Sequence, residues 1–104
     1  MDRTITPDTL KTELNDKLIL DVRRLSDLAN STEQLAGAHW KDHEHVSVWA
    51  DALPMDQDIV LYCVRGGSVS NSVVDALHAK GFKARFIEGG IEGWKAAGGN
   101  VIAK

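Results

Sequence analysis

A second cysteine is missing from this chain, for Cys63 stands alone among 104 residues. No internal disulfide can form, so a reducing compartment suits the protein. Basic residues are not in excess either. Twelve Lys and Arg face 15 Asp and Glu, and the net charge of −3 gives no footprint for nucleic acid. No apolar run is long enough to span a bilayer, and the amino terminus lacks the apolar core of a signal peptide. Proline occurs only at Pro7 and Pro54, one suited to open a helix and the other to end one. Repeats, linkers and low-complexity segments are absent from the pattern. What remains is the expectation of a single domain over residues 1–104, cytoplasmic, with no membrane or nucleic-acid partner. Its 43% hydrophobic content is ordinary for a chain that builds one core without staples.

What is present alternates between two periodicities. Thr6-Pro7 predicts a capped helix start, with Ile5 and Leu10 at the positions of a hydrophobic staple and Leu14 extending the stripe. Leu18-Ile19-Leu20-Asp21-Val22 reads as a strand covered on both faces. Leu25 to Gln34 has polar composition without clean period and reads as mostly loop, leading to a brief strand or turn at Leu35–Trp40. Val46, Trp49, Ala50 and Leu53 predict a helix over 43–53. Asp58 to Tyr62 is the next strand, and a helix carrying Val69, Val73, Ala76 and Leu77 follows, with Gly81 placed to cap it. Ala84 to Ile87 is a further strand, Glu88-Gly89-Gly90 a turn, and Ile91 to Ala97 a last helix with Ile91 and Trp94 inward. Alternating strands and helices joined by short turns predict an α/β fold with a mainly parallel central sheet flanked by helices on both faces.

In a parallel sheet the carboxyl ends of the strands share one edge, where open α/β folds place ligands. Asp21-Val22-Arg23, Cys63 and Glu88-Gly89-Gly90 therefore gather on one side. Cys63 sits between a strand end and a glycine-bearing turn, Val64-Arg65-Gly66-Gly67-Ser68-Val69-Ser70, that opens a helix. Unpaired N–H groups and the dipole at a helix start favour a thiolate and hold an anion beside it. A free cysteine is elsewhere often only a small buried hydrophobe. Here the context selects a nucleophile.

These clusters, in this order, resemble the rhodanese-like sulfurtransferase domains. The matching pieces are Asp21-Val22-Arg23, Gly37-Ala38, Tyr62-Cys63 with its loop, Leu77 with Gly81-Phe82, and Glu88-Gly89-Gly90-Ile91-Glu92-Gly93-Trp94. The resemblance implies that Cys63 accepts a sulfane sulfur as a persulfide. It also implies that Val64, Arg65, Gly66, Gly67, Ser68, Val69 and Ser70 form the loop that binds a small anionic donor such as thiosulfate. An external thiol, a protein cysteine or cyanide would be the acceptor, with no cofactor and no metal. Arg65 and Arg23 are the cations that would depress the cysteine pKa. Asp21 and Arg23 are supporting residues, Arg23 pairing with a carboxylate such as Asp21 to hold the loops.

The loop departs from the common pattern. Val64 follows the cysteine, Arg65 comes one place later, Val69 stands where serine is usual, and the spacing to Gly81 is about one residue longer. A longer loop is a property of related phosphatases and arsenate reductases, which form the alternative enzyme reading on the same fold. Against it, the position six residues after Cys63 is Val69 rather than arginine, and no second cysteine exists to resolve an intermediate. A persulfide carrier or partner-docking module is the non-enzymatic alternative. His39, His43 and His45 have spacings of four and two, which suggest a metal site less strongly than a solvated helix start capped by Asp42.

Overall fold

The structure, a computed structural model, describes residues 3–103. Its centre is the strand β5 (Asp58–Tyr62). Ile59, Leu61 and the following Cys63 join one buried cluster, whereas Val60 and Tyr62 join another. That two-residue period is the mark of a strand covered on both faces. Its neighbours are β2 (Lys17–Asp21), β4 (His39–Trp40), β6 (Ala84–Ile87) and β1 (Thr4–Ile5). They run in the order β1-β6-β5-β2-β4, and every pairing is parallel.

Helices cover both faces. On one side α1 (Pro7–Glu13) and α5 (Gly90–Ala96) bring Leu10, Ile91 and Trp94 onto Val60 and Tyr62. On the other, α3 (Val46–Trp49) and α4 (Ser68–Ala79) bring Val46, Val73, Val74 and Leu77 onto Leu61 and Phe86. The signals at the helix ends act as the sequence suggests. Thr6 accepts from the Thr9 N–H at 3.2 Å. Gly81 adopts φ +87° after α4, with Gly81 N–H on the His78 carbonyl and Phe82 N–H on that of Leu77, both at 3.0 Å. These two bonds are a Schellman cap, and Phe82 and Leu77 supply its apolar contact within one cluster.

Two expectations need correction. Residues 25–34, expected as mostly loop, hold the helix α2 (Leu25–Ala29) and most of the strand β3 (Glu33–Leu35). No residue of α2 is buried, so it lacks the apolar period that would reveal it. β3 exists through its antiparallel pairing with β7 (Val101–Ala103), a partner 66 or more positions away that local pattern cannot show. The helix expected over 43–53 is broken, with 3₁₀ turns at His43–His45 and Ala50–Ala52 on either side of α3. Its apolar face survives, for Val46 and Ala50 are buried and Trp49 and Leu53 half-buried. Among the described residues no helix is long and apolar enough to cross a membrane.

Candidate active site

The carboxyl ends of β2 and β5 lie level, because Asp21 is in register with Tyr62. From β2 the chain next joins the sheet at β4, and from β5 it next joins at β6, on opposite sides of the pair. The crevice between their ends is thus the topological switch point of the sheet. Cys63 sits there, 7% exposed.

The loop after Cys63 is held from behind by the turn that precedes α5. Ile91 N–H donates to the Cys63 carbonyl at 2.9 Å and Glu92 N–H to that of Val64 at 3.1 Å. This approach requires glycine at Gly90, where φ is +63° and a Cβ would lie 2.5 Å from both carbonyl oxygens. Gly66 turns the loop at φ +72°, close against the backbone of Ile87, Gly89 and Gly90. The Glu88-Gly89-Gly90 turn is therefore a buttress of the cysteine loop.

Around the sulfur, the buried Ser70 hydroxyl donates to Sγ at 2.9 Å. Burial pushes the thiol pKa up, but the Ser70 hydroxyl and the backbone N–H groups of Gly67, Ser70 and Gly66 outweigh it. Cys63 stands below the ordinary cysteine range, which is where a thiolate nucleophile belongs. The groups that lower it are loop dipoles. One hydroxyl and the amides contribute more to this lowering than any charge on Arg65 or Arg23.

A cleft of about 290 Å³ opens over the sulfur. Val64, Arg65 and Gly67–Val69 line it together with Arg24 and Asp27. Among the described residues the side chains of Arg24, Asp27 and Arg65 make no hydrogen bond or ion pair within the chain. Sequence reasoning missed Arg24 and Asp27, since only the tertiary fold brings α2 to the loop. It included Ser70 in the loop but not its side chain on the sulfur. Ser70 is the third residue of α4, so its contact with the sulfur follows from where that helix begins.

Arg23 and Asp21 lie elsewhere. Arg23 Nη2 binds Asp21 Oδ2 at 2.7 Å and Nε binds Oδ1 at 3.0 Å, with both side chains at most 2% exposed. Tyr62 donates its hydroxyl to Asp21 Oδ2 at 3.0 Å, and the Arg23 guanidinium lies 5.6 Å from the centre of the Tyr62 ring. Arg23 also reaches the Glu33 carbonyl at 3.0 Å, tying β3 to the sheet edge. Burial lowers the Arg23 pKa, but the hydrogen bond and charge of Asp21 outweigh it and raise the value. Burial and the Asp21 charge push the Tyr62 phenol upward. The Asp21 carboxylate, the Tyr62 hydroxyl and the Arg23 Nε and Nη2 groups are thus all engaged within this cluster.

The three imidazoles do not converge. His45 Nδ1 lies 2.8 Å from Asp42 Oδ2, and Asp42 caps the following turn by accepting from Glu44 N–H at 3.0 Å. Among the described residues the ligand atoms that gather as a trio, all within 4.8 Å of one another, belong to Asp42, His43 and Glu44.

Fold and site together define an α/β domain that holds its single cysteine in an amide-lined loop at the switch point of a parallel sheet. The chain belongs to the rhodanese-like domain family, whose pattern matches residues 6–97. Its fold is similar to that of a rhodanese-related protein from Thermoplasma volcanium, with a TM-score of 0.86, 24% identity, and coverage of 97% of this chain and 98% of that one. The rhodanese-like domain of an Anabaena protein gives a TM-score of 0.81 at 27% identity, over 100% of this chain and 81% of that one. A Rhodopseudomonas palustris protein described as a possible tyrosine phosphatase gives 0.78 at 22% identity, over 96% and 84%. No curated protein matches the chain.

Proposed function

We propose that the protein is a sulfurtransferase that carries a sulfane sulfur on Cys63 from a small anionic donor of the thiosulfate type to an external acceptor. The observation that carries this reading is the Cys63 sulfur, with a lowered pKa, under an open cleft rimmed by the unpaired Arg24 and Arg65. In the first half-reaction the thiolate attacks the outer sulfur of thiosulfate. The sulfur–sulfur bond of the donor breaks, and sulfite departs with its electron pair. The loop amides face the charge on the resulting persulfide and on the leaving anion, with Arg65 and Arg24 at the rim. In the second, cyanide, a small thiolate or a protein cysteine attacks the outer persulfide sulfur, and the electron pair returns to Cys63. With a single cysteine in the chain, that acceptor must be external.

Phosphoryl or arsenate chemistry is less suited to this loop. Val69, at the place where an arginine fork would clamp three oxygens, packs against the apolar cluster under α4. Steady-state rates with thiosulfate and cyanide test the reading. Parallel double-reciprocal plots are expected from the two-step cycle, and turnover is expected to vanish in Cys63→Ser. Retained turnover in that variant would sink the mechanism.

A further inference from the structure

Gly67 serves the sulfur with one end of its backbone and α4 with the other. Its N–H is one of those that face Cys63 Sγ. Its carbonyl accepts twice from Asn71, from the backbone N–H at 3.1 Å and from the side-chain Nδ2 at 3.0 Å. Packing does not hold this residue, for outside its chain neighbours no heavy atom lies within 4 Å of where a Cβ would stand. Gly67 also opens α4 without a side-chain cap, which leaves its placement to these hydrogen bonds. The Asn71 amide is itself fixed. Arg3 Nη2 donates to Asn71 Oδ1 at 2.9 Å, and Arg3 Nη1 to Asp75 Oδ1 at 2.6 Å, one turn further along α4. The Arg3 carbonyl in turn accepts from Phe86 N–H at 2.9 Å, which ties it to the sheet. With a cation on Oδ1 and a carbonyl before Nδ2, the amide has a single orientation that satisfies both neighbours. A line of hydrogen bonds thus runs from the sheet through Arg3 and Asn71 to Gly67 and the sulfur.

We propose that Asn71 is a positioning residue for Cys63: oriented by Arg3, its side chain holds Gly67 so that the Gly67 N–H stays aimed at the sulfur. The bond from the Asn71 N–H is the ordinary helical one, which any residue but proline makes at this position. The side chain adds the second tie, and that tie is what the choice of asparagine supplies. Asn71 does not line the Cys63 cleft, so it acts through Gly67 and not on a substrate. For turnover the inference rests on the sulfurtransferase reading, in which the same N–H faces the thiolate before sulfur is taken up and the persulfide afterwards.

The pH profile of Cys63 alkylation by iodoacetamide reads this role without assuming sulfur transfer. In Asn71→Ala the midpoint should rise by about half a pH unit, as one amide slackens against the sulfur. Asn71→Ser should recover most of that shift, because a serine hydroxyl donates back to the carbonyl four residues earlier. Arg3→Ala should raise the midpoint by less, and should add nothing in the Asn71→Ala background. A charge acting on the sulfur through space would persist in that background, so the cycle separates the two. Arg24, Asp27 and Arg65, the charged groups lining the cleft, are untouched in every variant. At a pH below the midpoint, the maximal rate of sulfur loading from thiosulfate should fall about threefold in Asn71→Ala, with the half-saturating concentration unchanged. An Asn71→Ala midpoint equal to that of the wild type would overturn the positioning role. So would equal midpoints in Asn71→Ala and Asn71→Ser with a shared loss of stability to urea, which would make Asn71 a helix-start residue only. If the midpoints move as expected but thiosulfate loads no sulfur on the wild type, the positioning role stands and the sulfurtransferase reading falls. If loading is normal and the midpoints are flat, the reverse holds.

Discussion

Tyr62 and Cys63 are consecutive residues at the end of one strand, yet they open onto opposite kinds of environment. Tyr62 faces the side of α1 and α5, where its hydroxyl, Asp21 and Arg23 close a buried network made of side chains. Cys63 faces the side of α4, where its sulfur meets backbone N–H groups and one serine hydroxyl beneath an open cleft. The period of the strand makes this division possible, since neighbours point to opposite faces. The network is electrically neutral and buried, so its groups hold one another. The loop turns its dipoles onto the sulfur beneath that cleft. One face locks the edge of the sheet, and the other carries the proposed chemistry.

Substitutions should separate the two faces, and the largest effect belongs to the lock. Arg23→Ala leaves the Asp21 carboxylate buried without its cation, which should cost about 3–5 kcal/mol of stability. Urea unfolding measures it; a loss below about 1 kcal/mol would mean that Asp21 is solvated rather than enclosed. Gly90→Ala comes next, because it forces a Cβ against the Cys63 and Val64 carbonyls at a positive φ. A loss of about 1–3 kcal/mol is expected, accompanied by slower reaction of Cys63. Stability lost with unchanged thiol reactivity would show that the turn does not shape the loop.

Ser70→Ala should do the opposite of Arg23→Ala, leaving most of the stability and changing the thiol. The pH profile of Cys63 alkylation reads this directly. Thiolate exists above the folded pKa, so in the wild type reactivity should persist below the range of a free cysteine and fall as pH drops through the lowered value. Without the hydroxyl the midpoint should move to higher pH. An unmoved midpoint would assign the lowering to the amides alone. The smallest effect is expected at the rim, where Arg65→Ala should raise the KM for thiosulfate about two- to fivefold through an exposed charge. An unchanged KM would place the guanidinium away from the donor.

The same contrast governs what could be read from the sequence. Ile59, Val60, Leu61 and Tyr62 alternate between two cores that both exist, so an apolar run marked the strand and the position of Cys63 at its end. Thr6, Pro7 and Gly81 act through their immediate neighbours and were legible for that reason. Pairing of Arg23 with Asp21 was within reach, because a single residue separates them. Arg24 and Asp27 in the cleft were not, for they arrive on a short helix with no buried residue. β3 and β7 were invisible as well, each depending on a partner at the far end of the chain. Ser70 was assigned to the loop, but its contact with the sulfur depends on how α4 begins, which the residue pattern does not specify.

The most direct test of the central claim is the intact mass of the reduced protein before and after thiosulfate, with Cys63→Ser measured beside it. One added sulfur on the wild type alone, removed again by cyanide, is the predicted result. Unchanged mass in the wild type, or an equal gain in Cys63→Ser, would contradict a sulfur carried on Cys63.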